Sequence, residues 1–304
     1  MRGQLGEIVR RCVTGMAICA ALACVALDMI ARASDTAALA GKLHVKRTSA
    51  SDLEVAGDVP GVPRGETRYA RREDLLAISR SMAVTANDGA FTVPSNVKAV
   101  PLGDLARALG APAADMVVAI CTDKYRANYP REYIEAHHPL LVLELNGKPL
   151  EDWPKDTEGT DRGWYLIAHV SFTPAFKILS HEDEPQIPWG VVRLEFRDEK
   201  SVFGAIEPRG PFANKAAVQA GYRIAQQNCF RCHNAGDEGG QKSGVTWAVL
   251  SAIAVASPDF FAEYVRNPKS KSPRAQMPGD PEYDDKSLQA LTAYFRSFSQ
   301  PGNL

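Results

Sequence analysis

Five consecutive residues constrain this chain more than any other part of its sequence: Cys229, Phe230, Arg231, Cys232 and His233. Two cysteines that are separated by two residues and followed at once by a histidine form the attachment pattern of a c-type haem. The thiols can form thioether bonds at one edge of the porphyrin, and the imidazole can bind the iron. The pattern therefore predicts one covalently bound haem c, with His233 as its proximal ligand.

Cysteine pairs at this spacing also occur in zinc sites and in dithiol redox centres. A structural zinc site needs further cysteine or histidine ligands, but the sequence contains neither after His233. A thioredoxin-like dithiol follows a strand, whereas residues 213–228 have the pattern of a helix. Both alternatives therefore fit the sequence less well than haem attachment does.

The distal iron ligand can be sought by elimination, because Met277 is the only methionine after His233. A lone methionine usually fills a core. Met277, however, lies in a polar, proline-rich stretch, residues 267–281, that has no helical period. We therefore expect Met277 to bind the iron. His/Met ligation fills both axial positions and raises the haem potential, which favours electron transfer over substrate binding at the iron.

With these residues, the C-terminal part of the chain, residues 213–304, resembles a class I c-type cytochrome domain. Such domains are all-α, and their first and last helices cross tightly, with a glycine on one helix and an aromatic residue on the other. Gly221 precedes the haem motif, and a last helix predicted over residues 284–298 carries Leu291 and Tyr294. The resemblance implies a domain that transfers electrons through its haem.

The N-terminus differs in kind from the rest of the chain. Arginines precede an apolar run over residues 12–27, and a pattern of small residues suited to cleavage ends at Ala33. We therefore expect residues 1–33 to be a secretory signal peptide that is cleaved near Ala33, a mature protein in the periplasm and no permanent membrane span. An uncleaved anchor and a lipoprotein site at Cys24 are the alternatives.

The 304 residues suggest two domains after the signal peptide. We expect an N-terminal extension over residues 34–67, an α+β domain with a mixed sheet over residues 68–203, and a linker over residues 204–212 that is rich in glycine and proline. The apolar run Met116–Cys121 predicts a buried strand. Cleavage of the signal leaves Cys121, Cys229 and Cys232, so no disulfide framework is expected once two of them hold haem.

Three stretches of the α+β domain resemble, in their order, a sulfite-oxidase-like molybdopterin-binding domain: residues 100–105, 118–126 and 145–150. In catalytic members a cysteine at the end of a strand binds molybdenum, and Cys121 stands in a similar place. The residues after Cys121 depart from the family pattern, and the second, immunoglobulin-like domain of those enzymes is missing. A buried, inert cysteine is the simpler interpretation, so bound molybdopterin is not expected.

Charge and motifs exclude several classes of function. The net charge of −1 and the absence of a basic stripe argue against nucleic acid as a partner. No P-loop, G-x-S-x-G or G-x-G-x-x-G occurs. The acidic run Glu182-Asp183-Glu184 has the composition of a solvated loop. The basic run over residues 269–274 borders Met277 and is either a solvated loop or a docking surface for an acidic partner.

Three functions remain open. The first is an exported monohaem cytochrome that passes electrons to a redox partner, another cytochrome or a periplasmic oxidoreductase, with the α+β domain as a docking module without cofactor. The second is a molybdenum-dependent dehydrogenase that uses Cys121 and passes electrons to its own haem. The third joins a module that binds or senses a small anion to a cytochrome.

Overall fold

The computed structural model describes residues 39–85, 90–149 and 163–298. They form two parts, a first region (residues 39–203) that contains two five-stranded sheets and a helical region (residues 216–298). The expected succession of a mixed α/β region and a helical region is confirmed. The predicted signal peptide, residues 1–33, lies outside the described residues.

The strands are β1 (Leu53–Gly57), β2 (Thr67–Ala70), β3 (Arg80–Val84), β4 (Ser95–Pro101), β5 (Met116–Cys121), β6 (Arg126–Pro130), β7 (Leu140–Leu145), β8 (Lys148–Pro149), β9 (Leu166–Ala168), β10 (Lys177–Ile178), β11 (His181–Glu182), β12 (Val191–Arg197), β13 (Asn234–Ala235) and β14 (Glu238–Gly239). The α-helices are α1 (Arg72–Ile78), α2 (Leu102–Ala108), α3 (Arg131–His137), α4 (Glu199–Phe203), α5 (Ala216–Gln227), α6 (Trp247–Ala256), α7 (Pro258–Arg266), α8 (Pro268–Lys271) and α9 (Asp285–Ser297).

The first sheet has the strand order β2-β1-β12-β5-β6. β1 and β12 are parallel and all other neighbours are antiparallel, so the sheet is mixed, as expected. β1 belongs to the segment 34–67 that was expected to be an extension. Its Leu53 and Val55 are completely buried, because they pack into the core of the first region. The boundary expected at residue 68 therefore falls within this sheet.

β5 is buried on both faces, which explains its continuous apolar sequence. Val117, Ala119 and Cys121 face the core between the two sheets of the first region. Met116 and Val118, on the opposite face, pack with the helical region. The strand predicted over Met116–Cys121 is confirmed at both ends.

The second sheet has the order β3-β4-β7-β8, and β9 also pairs with β7. Leu141 and Leu143 on β7 pack into the core shared with the first sheet. Val142, the residue between them, faces a separate cluster on the outer side. This alternation is what a strand with two buried faces requires.

The helical region is organised by the crossing of α5 and α9. A Cβ atom at Gly221 would fall against the carbonyl of Ala290 and the side chain of Tyr294, so only glycine permits this approach. The expected tight crossing through Gly221 is therefore confirmed. None of the helices in the described ranges has the length and apolar character that crossing a bilayer demands.

The two regions share a core. Val202 and Phe203 on α4 pack with helical residues such as Phe230. In the connection over residues 204–212, Ile206 is completely buried, and its carbonyl accepts a hydrogen bond from the Tyr294 hydroxyl at 2.6 Å. The expected linker is thus partly built into the helical core instead of joining two separate bodies.

Candidate haem-binding site

The motif cysteines follow α5 directly. Cys229 begins a 3-10 turn that ends at Arg231. The Cys229 carbonyl accepts hydrogen bonds from the backbone N–H groups of Cys232 at 3.2 Å and His233 at 3.0 Å. One tight turn therefore holds both thiols and the imidazole close together, as attachment of a single haem requires.

His233 is oriented by a backbone partner. Its Nδ1 lies 2.6 Å from the carbonyl oxygen of Val245, and the residue is 8% exposed. Because a carbonyl only accepts, Nδ1 carries the proton and Nε2 keeps its lone pair. Burial lowers the pKa of His233, although the Val245 carbonyl acts in the opposite direction, so the imidazole is neutral. A neutral imidazole with a fixed tautomer is the form that binds a metal.

Cys229 and Cys232 are half-buried, and neither forms a disulfide with a described residue. Burial raises the pKa of both, and the nearby Asp280 carboxyl raises that of Cys229 further. In the described ranges no group of three or more His, Cys, Asp and Glu side chains could hold a metal ion. The described residues therefore include no such set of three ligands for zinc, whereas the turn carries the two cysteines and the histidine of a c-type haem motif.

Met277 lies in the loop between α8 and α9. It is half-buried and packs against the same helical core as Cys229. The Asp280 N–H donates to the Val265 carbonyl at 3.2 Å, which ties this loop to α7. The short helix α8 within residues 267–281 departs from the expectation of a stretch without helix, since Asn267 caps it by accepting from the Ser270 N–H.

Arg231, the third residue of the motif, is turned toward the first region. Its side chain is 13% exposed, and its Nη1 lies 3.9 Å from Glu184. The Glu184 carboxylate also accepts from Asn228 at 3.2 Å. Glu184 belongs to the acidic run expected to be a solvated loop, and its neighbour Asp183 is 2% exposed. That expectation is wrong, because both carboxylates have partners on other elements.

A second set of ion pairs joins the hairpin of β13 and β14 to the first region. Glu238 accepts from Arg126 and from Arg197, both at 2.6 Å. Asp123 pairs with Lys242 at 2.6 Å. Arg126, which ends the stretch 118–126 that resembles a molybdopterin-binding domain, is therefore paired with Glu238. Sequence reasoning missed this network, because its partners lie 41 to 119 residues apart.

Cys121 is a buried residue of the first region. It ends β5, is 3% exposed and packs within the core of the first region. Burial, and to a lesser degree the charge of Asp123, raises the pKa of its thiol. This is the setting of an inert core cysteine.

Comparison with known proteins agrees with the geometry of the motif. Residues 216–295 match the family model for cytochrome C oxidase, cbb3-type, subunit III. The match covers about a quarter of the chain and includes the haem motif and Met277. No curated protein matches the sequence. The likeness of residues 68–203 to sulfite-oxidase-like domains stays a prediction. The helical C-terminal region thus matches a cytochrome c-type domain, a class that carries covalently bound haem c and transfers electrons.

Proposed function

We propose that the protein is an exported monohaem cytochrome that receives and passes on single electrons. Cys229 and Cys232 hold the haem through thioether bonds, His233 is the proximal ligand and Met277 the distal one. The hydrogen bond from His233 Nδ1 to the Val245 carbonyl, 2.6 Å long, carries this proposal. It orients the ring, fixes its tautomer and leaves Nε2 as the donor to iron.

Haem c, once bound, supplies a one-electron redox couple. The residues of the chain set the conditions for that couple. The apolar core against which Cys229 and Met277 pack limits the access of water. An axial methionine raises the potential of the iron. With His233 and Met277 both supplied by the chain as iron ligands, a bound haem would have no ligand position for a substrate and would serve electron transfer.

We propose that the first region is a docking module without molybdopterin. The burial of Cys121 supports this role, since a metal ligand must be reached by its metal. The shared core and the ion pairs of Glu238 support it as well, because they hold the module against the haem motif. The module thus presents the haem domain to its partner in one orientation.

For the partner, we propose an acidic redox protein that docks near Met277. Within the basic run there, Lys269 and Arg274 are exposed, whereas Lys271 forms an ion pair with Glu263. Complementary charge raises the rate of encounter, and salt screens it. The periplasm, reached through the predicted signal over residues 1–33, is the compartment we propose for this exchange.

Metal analysis combined with optical spectroscopy tests the proposed function. Protein matured with both cofactors available should contain about one iron per chain and no molybdenum, and should undergo reversible one-electron reduction. The oxidised form should show the near-infrared sulfur-to-iron band of His/Met haem, and Met277→Ala should abolish it. About one molybdenum per chain, lost in Cys121→Ser, would instead establish the dehydrogenase.

A further inference from the structure

A cavity of about 540 Å³ lies where the first region meets α5, outside the haem motif. β6 and α3 supply one wall, residues 175–178 a second and α5 a third. Both apolar and polar side chains line it. Pro130, Ala136, Phe176, Ile178 and Phe203 provide apolar surface. The lining thus offers a small organic molecule apolar contact together with polar groups that can orient it.

One buried residue of the lining has an unused hydrogen-bond donor, the side-chain amide of Asn128. Asn128 is 1% exposed, its Oδ1 accepts from Arg126 Nε at 3.3 Å, and its backbone N–H donates to Gln186 Oε1 at 3.1 Å. Its Nδ2 has no acceptor within the described ranges. A buried donor without a partner is destabilising unless a ligand or ordered water accepts from it.

The other buried polar groups of the lining have partners. His137 Nε2 lies 2.7 Å from Asp183 Oδ2, which also accepts from the Ala175 N–H at 3.1 Å. The Tyr133 hydroxyl accepts from the Gln186 N–H at 2.8 Å and lies 3.1 Å from His169 Nε2. The amide of Asn128 is therefore the group that this arrangement leaves for a ligand.

Charge at the rim selects among possible ligands. Glu132, Glu199 and Arg223 line the cavity and form no ion pair with any described residue. Lys177 is paired with Glu182 at 3.0 Å. The unpaired rim groups thus carry two negative charges and one positive charge. An anion entering this rim meets net repulsion, whereas a neutral molecule does not.

We propose that this cavity binds a neutral organic molecule with an apolar body and a carbonyl oxygen that accepts a hydrogen bond from Asn128 Nδ2. The apolar body contacts Phe176, Ile178 and Phe203. Such a site adds small-molecule binding to a chain whose other proposed activity is electron transfer. The net negative charge of the unpaired rim groups also disfavours a small anion as the ligand of the first region.

Three probes of similar shape test this proposal on the full-length, haem-loaded protein. Acetophenone has the carbonyl, α-methylstyrene replaces its oxygen by a CH₂ group, and benzoate adds a negative charge. Affinities can be measured by ligand-observed NMR titration. Acetophenone should bind about tenfold or more tightly than α-methylstyrene, since only the ketone satisfies the buried donor. Benzoate should bind more weakly than acetophenone.

Variants locate the binding in the cavity. Asn128→Ala should bring the affinities for acetophenone and α-methylstyrene close together. Ala136→Trp should obstruct the cavity and weaken binding. Glu135 is exposed on the same helix and does not line the cavity, so Glu135→Trp should leave binding unchanged. The Trp pair remains informative if Asn128→Ala does not fold. Absence of saturable binding, equal affinities for the isosteres, tighter binding of benzoate or insensitivity to Ala136→Trp would each overturn the proposal.

Discussion

None of Cys121, Cys229 and Cys232 forms a disulfide with a described residue, but the two regions of the molecule place them in different surroundings. Cys121 ends a strand that is buried on both faces and packs among side chains of its own core. Cys229 and Cys232 are half-buried on a tight turn beside an oriented imidazole. The comparison teaches that the local backbone and the neighbouring groups decide whether a cofactor can reach a thiol. The presence of a cysteine in the sequence does not decide it.

Removal of thiols should give the largest effect. Cys229→Ala combined with Cys232→Ala should eliminate covalently bound haem, because no thioether can form. Haem staining after denaturing electrophoresis measures this directly. Cys121→Ser is the matched control and should keep the full stain. Loss of the stain in Cys121→Ser would contradict the claim that only the cysteines of the helical region hold the haem.

The crossing of α5 and α9, which supports the haem motif, can be disturbed at Gly221. Gly221→Ala should destabilise the helical region by about 3 kcal/mol, because the added methyl group meets the backbone of Ala290. Chemical denaturation followed by circular dichroism gives the free energy of unfolding. Gly244→Ala is the control, since nothing lies within 4 Å of a Cβ at Gly244. Equal effects of the two changes would show that the helices do not cross as closely as described.

The contact between the regions can be weakened at Glu238. Glu238→Gln should cost about 2 kcal/mol, because it leaves the buried guanidinium of Arg126 without its anionic partner. The exposed neighbour Asp237 offers Asp237→Asn as control. Denaturation of both variants measures the difference. If Glu238→Gln behaves like Asp237→Asn, the ion pairs of Glu238 do not contribute measurably to the contact between the two regions.

A smaller effect should depend on pH through Glu184. Burial acts to raise the pKa of this carboxyl, but the His181 ring, the charge of Arg231 and the Asn228 amide together hold it below 4.5. A folded-state pKa below the unfolded one stabilises the protein above that value, and the gain is lost as pH falls through the folded pKa. Because Glu184 is 39% exposed, solvent screening limits the gain to about 1 kcal/mol or less.

Glu184→Gln should therefore lower the free energy of unfolding near neutral pH, and its difference from the wild type should fade below about pH 4.5. Denaturation at a series of pH values measures that difference. Glu182→Gln is the control, since Glu182 is largely exposed in its pair with Lys177. A difference for Glu184→Gln that persists unchanged into acid would contradict the assigned role of the carboxylate.

Features that arise from neighbouring residues could be predicted from the sequence. The haem motif needs only five consecutive residues, and β5, α3 and β7 follow from short apolar or periodic runs. The last helix was expected over residues 284–298 and spans Asp285–Ser297, with Asp284 as its cap. Local chemistry determines each of these.

Features that depend on distant partners could not be predicted. The sequence does not predict that β1 belongs to the first domain, because its neighbour β12 lies more than a hundred residues away in the chain. Asp183 and Glu184 have the composition of a solvated loop, but His137, Asn228 and Arg231 come to them from other elements. The cavity beside Asn128 is likewise lined by four separate segments, within residues 128–137, 175–186, 199–203 and 223–227.

Peptide mapping tests the central claim most directly, because Arg231 provides a trypsin site between the two motif cysteines. Cleavage there and at the flanking sites after Arg223 and Lys242 yields peptides 224–231 and 232–242. Mass spectrometry should find these two peptides joined in one species that contains a single haem. Two separate peptides with free thiols, from protein matured where c-type haem is attached, would contradict the account.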